Sequence, residues 1–202
     1  PRTDDILDLE ETARRTAELI SYMEDVKEDK DVSDAYYEVG TEEISGGMTE
    51  PDSFEDFIHL LKQELKNRGR EKAAEKLLFI VGQVGTTMRI DMTNKFDPGQ
   101  AETLVDIAED YGLFLKVHYT DWLDNQDLRR FPRIGIGAAN VGPEFAAAIV
   151  ETLFELDEKE KEVLEKEDKI DQRSNFKRIM QEEAVEKTPW QRFAPESLNE
   201  SE

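Results

Sequence analysis

Four short apolar or β-branched runs are the feature that most constrains how this chain folds. Three of them end in, or run into, glycine, and the third along the chain ends at a histidine. The runs are AYYEVG (35–40), KLLFIVG (76–82), LFLKVH (113–118) and RIGIGAA (133–139). Helical patterns lie before, between and after them. Strands that alternate with helices predict parallel pairing through crossover connections.

Four amphipathic segments are predicted to form the helices around these strands, over residues 7–23, 53–69, 96–112 and 142–156. Residues suited to helix ends mark three of them, namely Asp97, Pro98 and Pro143 at the starts and Gly69 and Gly112 at the ends. The positions predicted to face the core are Leu9, Ala13, Thr16, Ala17 and Ile20; Phe54, Phe57, Ile58, Leu61 and Leu65; Leu104, Ile107 and Ala108; and Phe145, Ala148, Ile149, Thr152, Leu153 and Leu156.

The order α-β-α-β-α-β-α indicates an α/β fold, with two candidate architectures. A (β/α)8 TIM barrel takes about 250 residues, so four strands make about half of one. A small open α/β sheet is the competing fold. We expect residues 1–156 to form the partial barrel, and residues 157–202 to form a charged, acidic helical extension with a disordered end.

Composition excludes several classes of function. The 202 residues carry a formal net charge of -22, which opposes nucleic acid or an anionic membrane surface as the main partner. With no cysteine, the chain has neither disulfides nor thiolate sites. No apolar run approaches the ~20 residues of a membrane span. A cytoplasmic protein is expected. The spread of acidic residues also fits an adaptation to high salt, which the sequence leaves open.

Ligands of parallel α/β folds bind at the carboxyl ends of the strands, where this chain places polar residues and glycines. These residues are Gly40, Thr41, Glu42, Glu43, Gly46 and Gly47; then Gln83, Gly85, Thr86, Thr87, Arg89 and Asp91; then His118, Tyr119, Thr120 and Asp121; and finally Asn140, Gly142 and Pro143. A carboxylate, a glutamine, a histidine and a helix start suited to phosphate all follow strands. This combination is the outline of a sugar-phosphate site.

Glu42 and His118 have the chemistry to move a proton or to hold a divalent cation such as Zn²⁺ or Mn²⁺. A complete zinc site would need Asp91 or Glu43 as a further ligand. The predicted metal ligands are therefore Glu42, Asp91 and His118, and the predicted catalytic residues are Glu42 and His118.

The same residues also have structural interpretations. Glu42 fits a solvated loop carboxylate, and His118 fits a cap on a neighbouring carbonyl. Asp121 is suited to be the N-cap of a short helix. Gly142 and Pro143 fit a tight helix start with no ligand.

Four stretches occur in the order and spacing of a known family: YYEVGTEEISGG, IVGQVGTTM, LKVHYTDW and VGPEFAAAIVETLFEL. Together with LEETARRTAELI, they make the chain resemble the non-catalytic subunit of class II D-tagatose-bisphosphate aldolase (GatZ/KbaZ-like) over roughly residues 6 to 156. The resemblance implies a TIM barrel of which this chain holds about the second half. It also implies a zinc-dependent catalytic partner that cleaves tagatose 1,6-bisphosphate into two triose phosphates.

The resemblance assigns a set of residues to the site by position. They are Gly40, Thr41, Glu42, Gly46, Gly47, Gln83, Gly85, His118, Thr120, Asp121, Gly142 and Pro143. Three positions depart from the family pattern. Thr87 and Lys116 stand where the family has glutamates, and Asn140 stands where it has a lysine.

The loss of two carboxylates weakens the case for metal-assisted catalysis by this chain and leaves sugar-phosphate binding in place. We therefore expect an accessory aldolase subunit. The alternatives are a metal-dependent ketose or ketose-phosphate epimerase or aldolase, and a scaffold that binds no ligand. Because half a barrel exposes strand edges, we also expect a homo- or hetero-oligomer.

Overall fold

One parallel sheet lies at the centre of the computed structural model, which describes residues 7–32, 35–40, 47–86 and 95–187. Its strands are β1 (Tyr37–Gly40), β2 (Leu77–Val81), β3 (Phe114–Val117) and β4 (Ala138–Ala139). The helices are α1 (Leu9–Lys30), α2 (Pro51–Asn67), α3 (Glu71–Ala74), α4 (Pro98–Asp110), α5 (Asn125–Leu128), α6 (Phe131–Ile134), α7 (Pro143–Lys166) and α8 (Phe176–Lys187), with a 3-10 turn at Ile170–Gln172.

The strands pair in chain order, β1-β2-β3-β4, and every pair is parallel. A doubly wound sheet reverses its strand order at a switch point, whereas a barrel adds each strand beside the preceding one. The sequential order therefore fits the predicted fold class at a coarse level. It is a mixed α/β fold consistent with part of a TIM-type (β/α) barrel.

Helices cover one face of the sheet, and their apolar stripes form the core. All five predicted positions of α2 are buried: Phe54, Phe57, Ile58, Leu61 and Leu65. They pack with buried residues of α1, of α4 and of the strands. Alternate strand positions, including Val39, Ile80 and Leu115, point to the helices, so their neighbours in sequence point to the opposite face.

Glycines end two of the long helices as predicted. At the end of α2, Gly69 has φ +69, the Gly69 N–H donates to the Lys66 carbonyl, and the Arg70 N–H donates to the Leu65 carbonyl. Gly112 ends α4 with the same two-bond pattern and φ +74. This is the Schellman arrangement, which satisfies the last carbonyls of a helix and needs a left-handed residue.

The fourth strand is shorter than predicted. Part of the expected run 133–139 belongs to α6, which ends at Gly135 with φ +101. Only Ala138 and Ala139 pair with β3. The alternation of isoleucine and glycine suggested a strand, but glycine also permits the left-handed turn that closes α6.

The chain divides into two units: Pro1–Thr87 with Asn94–Asn140, which contains the sheet, and Met88–Thr93 with Val141–Glu202, which contains α7 and α8. In the second unit, α7 runs without a break across residues 156 and 157. The domain boundary expected between these two residues stays a prediction. Three apolar side chains of α7 are more than half exposed, although the sequence predicted that they face inward: Phe145, Ile149 and Leu156. Within the described ranges, every helix is too short or too polar to span a bilayer.

Candidate functional site

The carboxyl ends of β2, β3 and β4 place predicted site residues on the sheet face opposite the helices. Val81 is the register partner of Lys116, and Lys116 is in turn the register partner of Ala138. Because side chains alternate along a strand, the residues two positions further on share this face and form the next layer. Those residues are Gln83, His118 and Asn140.

Gly40 and Gly82 show that this alternation holds up to the strand ends. A Cβ on Gly40 would lie 2.8 Å from the Val81 Cβ, so these two residues adjoin on the face away from the helices. A Cβ on Gly82 would lie 2.9 Å from a methyl carbon of Leu104 in the core. Val84 is also in the core, which leaves Gln83 between them on the opposite face.

Gln83 and Thr86 form a buried polar group at the end of β2. Gln83 is 3% exposed and Thr86 is fully buried. The Thr86 hydroxyl lies 2.7 Å from the backbone oxygen of His118 and 3.2 Å from Oε1 of Gln83. The Nε2 atom of Gln83 is buried and has no hydrogen-bond partner in the described part of the chain. A buried amide donor without a partner is costly, so this atom is suited to a ligand.

Thr49 anchors the segment that follows β1 to the end of β2. The Gln83 backbone N–H donates to Oγ1 of Thr49 at 2.8 Å, and the Thr49 N–H donates to the Gln83 carbonyl at 3.1 Å. Nε2 of Gln100 donates to the Thr49 carbonyl at 2.5 Å. Gly47 lies just before this anchor, with open space around its Cα. The predicted site residues Thr41, Glu42 and Gly46 lie outside the described residues.

The carboxylate of Glu38 lies beside Lys116 and His118, although Glu38 is not among the site residues predicted from the sequence. One oxygen of its carboxylate, Oε2, accepts a hydrogen bond from Nζ of Lys116 at 2.5 Å. The other, Oε1, lies 3.4 Å from Nε2 of His118. Glu38 was detectable from its position in the β1 run, since it alternates with the core residue Val39. We refer to Glu38, Lys116 and His118 as the Glu38 cluster.

Beyond β3, the backbone makes tight turns that hold the next residues in place. Tyr119 and Trp122 have φ +57 and φ +55. Between them, the Thr120 hydroxyl and N–H both donate to the Asn140 carbonyl, at 2.7 and 3.3 Å. Asp121 is 2% exposed. In this arrangement, Thr120 and Asn140 tie the ends of β3 and β4 together.

Two predictions about helix starts are resolved by the geometry. The N-cap of the short helix α5 is Asp124, which accepts from the N–H groups of Gln126 and Asp127, so the expectation that Asp121 caps it is wrong. Gly142 and Pro143 begin α7 in the second unit, where the Ala146 N–H donates to the Gly142 carbonyl.

Gly85 has a structural requirement of its own. Its φ is +87, and a Cβ there would lie 2.2 Å from the backbone oxygen of Lys95. The Lys95 N–H donates to the Gly85 carbonyl at 3.2 Å, and the Asp97 N–H donates to the Val84 carbonyl at 2.8 Å. The glycine therefore lets two backbone segments approach closely.

The predicted metal site is only partly described. Glu42 and Asp91 lie outside the described residues, and within the described ranges no three histidine, aspartate or glutamate residues come together as a potential metal site. Of the predicted ligands, His118 alone has a described position, with Glu38 beside it. A Zn²⁺ or Mn²⁺ ion here stays a prediction.

The fold and site define a class: a mixed α/β unit with a parallel four-stranded sheet, consistent with part of a TIM-type barrel, and with polar side chains at its strand ends. The chain belongs to a narrower group within it. A family model described as "D-tagatose-1,6-bisphosphate aldolase subunit GatZ/KbaZ-like" matches residues 2–201, so the protein is a member of that family. None of the curated proteins matches it.

A solved structure supports the fold at low sequence identity. It is the crystal structure of a probable tagatose 6 phosphate kinase from Sinorhizobium meliloti 1021, with a TM-score of 0.78 and 21% identity. The match covers 95% of this chain and 46% of the other, so our chain spans about half the length of that structure.

Proposed function

We propose that this chain is an accessory, non-catalytic component of a tagatose-bisphosphate aldolase that binds a sugar phosphate and supports a separate zinc-dependent catalytic subunit. Membership of the GatZ/KbaZ-like family supports the aldolase context. Because the chain spans about half of the solved structure that it matches, the substrate and the partner of the whole protein are part of the proposal.

The observation that carries ligand binding is the buried amide of Gln83. Its side chain is almost fully enclosed, yet Nε2 has no partner among the described residues. A sugar presents hydroxyl groups that both donate and accept hydrogen bonds, so it can satisfy such an amide. His118 follows β3 in the same layer and carries an imidazole, a group that takes part in hydrogen bonds with hydroxyl groups.

The test compares ligand binding by the full chain and by Gln83→Leu. We expect D-tagatose 6-phosphate or D-tagatose 1,6-bisphosphate to raise the melting temperature of the wild type, with a stabilisation of about 2.7 kcal/mol at 100 times the dissociation constant. Leucine has nearly the same size as glutamine and removes the unsatisfied donor. The variant should therefore remain folded and bind at least about tenfold more weakly, the loss expected for one hydrogen bond to a ligand.

Gln63→Leu is the matched control because Gln63 is exposed on α2. If the wild type and Gln83→Leu bind the sugar phosphates equally well, the Gln83 amide does not contact the ligand. No stabilisation by either sugar phosphate would contradict the binding proposal and favour a scaffold.

Two further measurements separate the accessory role from catalysis. Co-purification with a class II aldolase catalytic subunit, together with an increase in its activity, is the expected result. If the chain alone converts a ketose or ketose phosphate, and chelator and His118→Ala both abolish that activity, the metal-dependent epimerase or aldolase replaces our proposal.

A further inference from the structure

The Glu38 cluster places a partly buried lysine side chain on the sheet face opposite the helices. The Lys116 side chain is 15% exposed, that of His118 is 24% exposed and that of Glu38 is 38% exposed. Lys116 lies on β3 and Glu38 on β1, so their hydrogen bond crosses over β2. The pair thus spans the surface beside the layer that holds Gln83 and His118.

The ammonium of Lys116 has unused hydrogen-bonding capacity. An ammonium group carries three N–H donors, and one of them is bonded to Glu38. Among the described residues, Nζ has no other hydrogen-bond acceptor or ion-pair partner. Lys116 is partly buried, and the remaining donors of its ammonium can bind an acceptor on this face.

The surroundings of Lys116 favour an anionic acceptor. Its neighbours on this face include the aromatic rings of Phe79 and Phe114, whose centroids lie 6.3 Å apart, and Val81. Apolar neighbours lower the local dielectric constant and strengthen a charge interaction. The unpartnered Nε2 of Gln83, one layer further along the sheet, independently indicates a polar ligand at this end.

We propose that Lys116 binds the anionic group of the ligand, a phosphate monoester, and that Glu38 holds the ammonium in place. The anion then lies over β2 and β3, and not at the start of α7, where the sequence suggested a phosphate cradle. Hydrogen bonds between an ammonium and phosphate oxygens are charge-assisted and short. The inference rests on the proposed function for the identity of the ligand as a sugar phosphate.

Isothermal titration of the full chain tests this with three probes: inorganic phosphate, D-tagatose 6-phosphate and unphosphorylated D-tagatose. Lys116→Met should weaken binding of both phosphate compounds by about tenfold or more, which is the loss of one charge-assisted hydrogen bond. Binding of unphosphorylated tagatose should not change. Lys66→Met is the control because Lys66 is exposed on α2.

Lys116→Met leaves the Glu38 carboxylate without its cation, so a second variant guards against misfolding. Glu38→Gln combined with Lys116→Met removes both charges and should show the same selective loss. Lys116→Arg keeps the charge and should retain binding of both phosphate compounds.

A footprint on the unaltered protein gives an independent measurement. Acetic anhydride modifies exposed lysines, and mass spectrometry follows the rate at each site. Inorganic phosphate should slow the acetylation of Lys116 and leave that of Lys66 unchanged.

The outcomes separate this inference from the proposed function. If the wild type binds tagatose 6-phosphate and Lys116→Met, alone or with Glu38→Gln, binds it equally well, the anion site lies elsewhere while sugar-phosphate binding stands. Acetylation of Lys116 that phosphate does not slow would also place the anion elsewhere. If the wild type binds neither phosphate compound, both proposals are overturned.

Discussion

Replacing Gly85 by alanine tests whether the backbone conformation at this position requires glycine. Two costs follow from the structure. With φ +87, any L-residue incurs a left-handed penalty of roughly 1–2 kcal/mol. The new Cβ would also lie 2.2 Å from the Lys95 oxygen, a separation that real Cβ atoms do not show, so the backbone must move.

That movement breaks the backbone hydrogen bonds from Lys95 to Gly85 and from Asp97 to Val84, each worth about 1 kcal/mol. We therefore expect Gly85→Ala to lower the free energy of unfolding by roughly 3–4 kcal/mol. Gly112→Ala is the matched control because Gly112 has φ +74 with open space where the Cβ would lie. It should cost about 1–2 kcal/mol, the left-handed penalty alone.

Urea unfolding followed by far-ultraviolet circular dichroism measures both variants, with the slope on urea compared to confirm that the same surface unfolds. If Gly85→Ala and Gly112→Ala lower the free energy of unfolding equally, the proposed clash between a Cβ at position 85 and the Lys95 oxygen is refuted. A stable Gly85→Ala protein that no longer binds sugar phosphate would instead give Gly85 a direct role in binding.

Two further predictions concern ionisable groups away from the site. Burial and the hydrogen bond to Glu24 raise the pKa of Tyr37 to about 12. Tyr37→Phe removes that hydrogen bond, so it should lower the free energy of unfolding by about 1–2 kcal/mol, as measured in thermal melts. Tyr36→Phe is the control because Tyr36 is exposed, and it should leave the free energy of unfolding unchanged. Burial disfavours the charged form of Asp157, but hydrogen bonds from Arg173 and a backbone N–H outweigh it and lower the pKa below its usual 3.8. The ionised form therefore stabilises the fold above that pH and ceases to do so as the pH falls through the lowered pKa, so Asp157→Asn should flatten the acid side of the stability profile. An unchanged acid limb would contradict this role.

The sequence predicted the helix-covered side of the sheet well because burial there follows a simple periodicity. The five apolar positions of α2 are all buried, and Gly69 and Gly112 end their helices with left-handed backbones. Both signals are local, since helical spacing and glycine conformation depend on near neighbours in the chain.

The site was harder to predict because its contacts join distant segments. In the sequence, Lys116 marks only the loss of a carboxylate, whereas in the structure Glu38, 78 residues away, supplies one beside it. The Thr120 hydroxyl donates to the Asn140 carbonyl, a contact the sequence does not indicate, while its predicted contact with a ligand stays a prediction. Contacts of this kind depend on which strands pair, whereas the spacing of residues along the chain identifies each strand only by itself.

The Thr86 hydroxyl has a consequence for what Gln83 can recognise. A hydroxyl has one proton, and the His118 backbone oxygen, at 2.7 Å, is the nearer of its two acceptors. If the proton goes there, the Gln83 amide gains by rotating half a turn, so that its N–H₂ donates to Thr86 and its carbonyl oxygen becomes the atom left for a ligand. The Gln83 side chain can therefore present either a donor or an acceptor to a ligand when one proton moves and one amide turns.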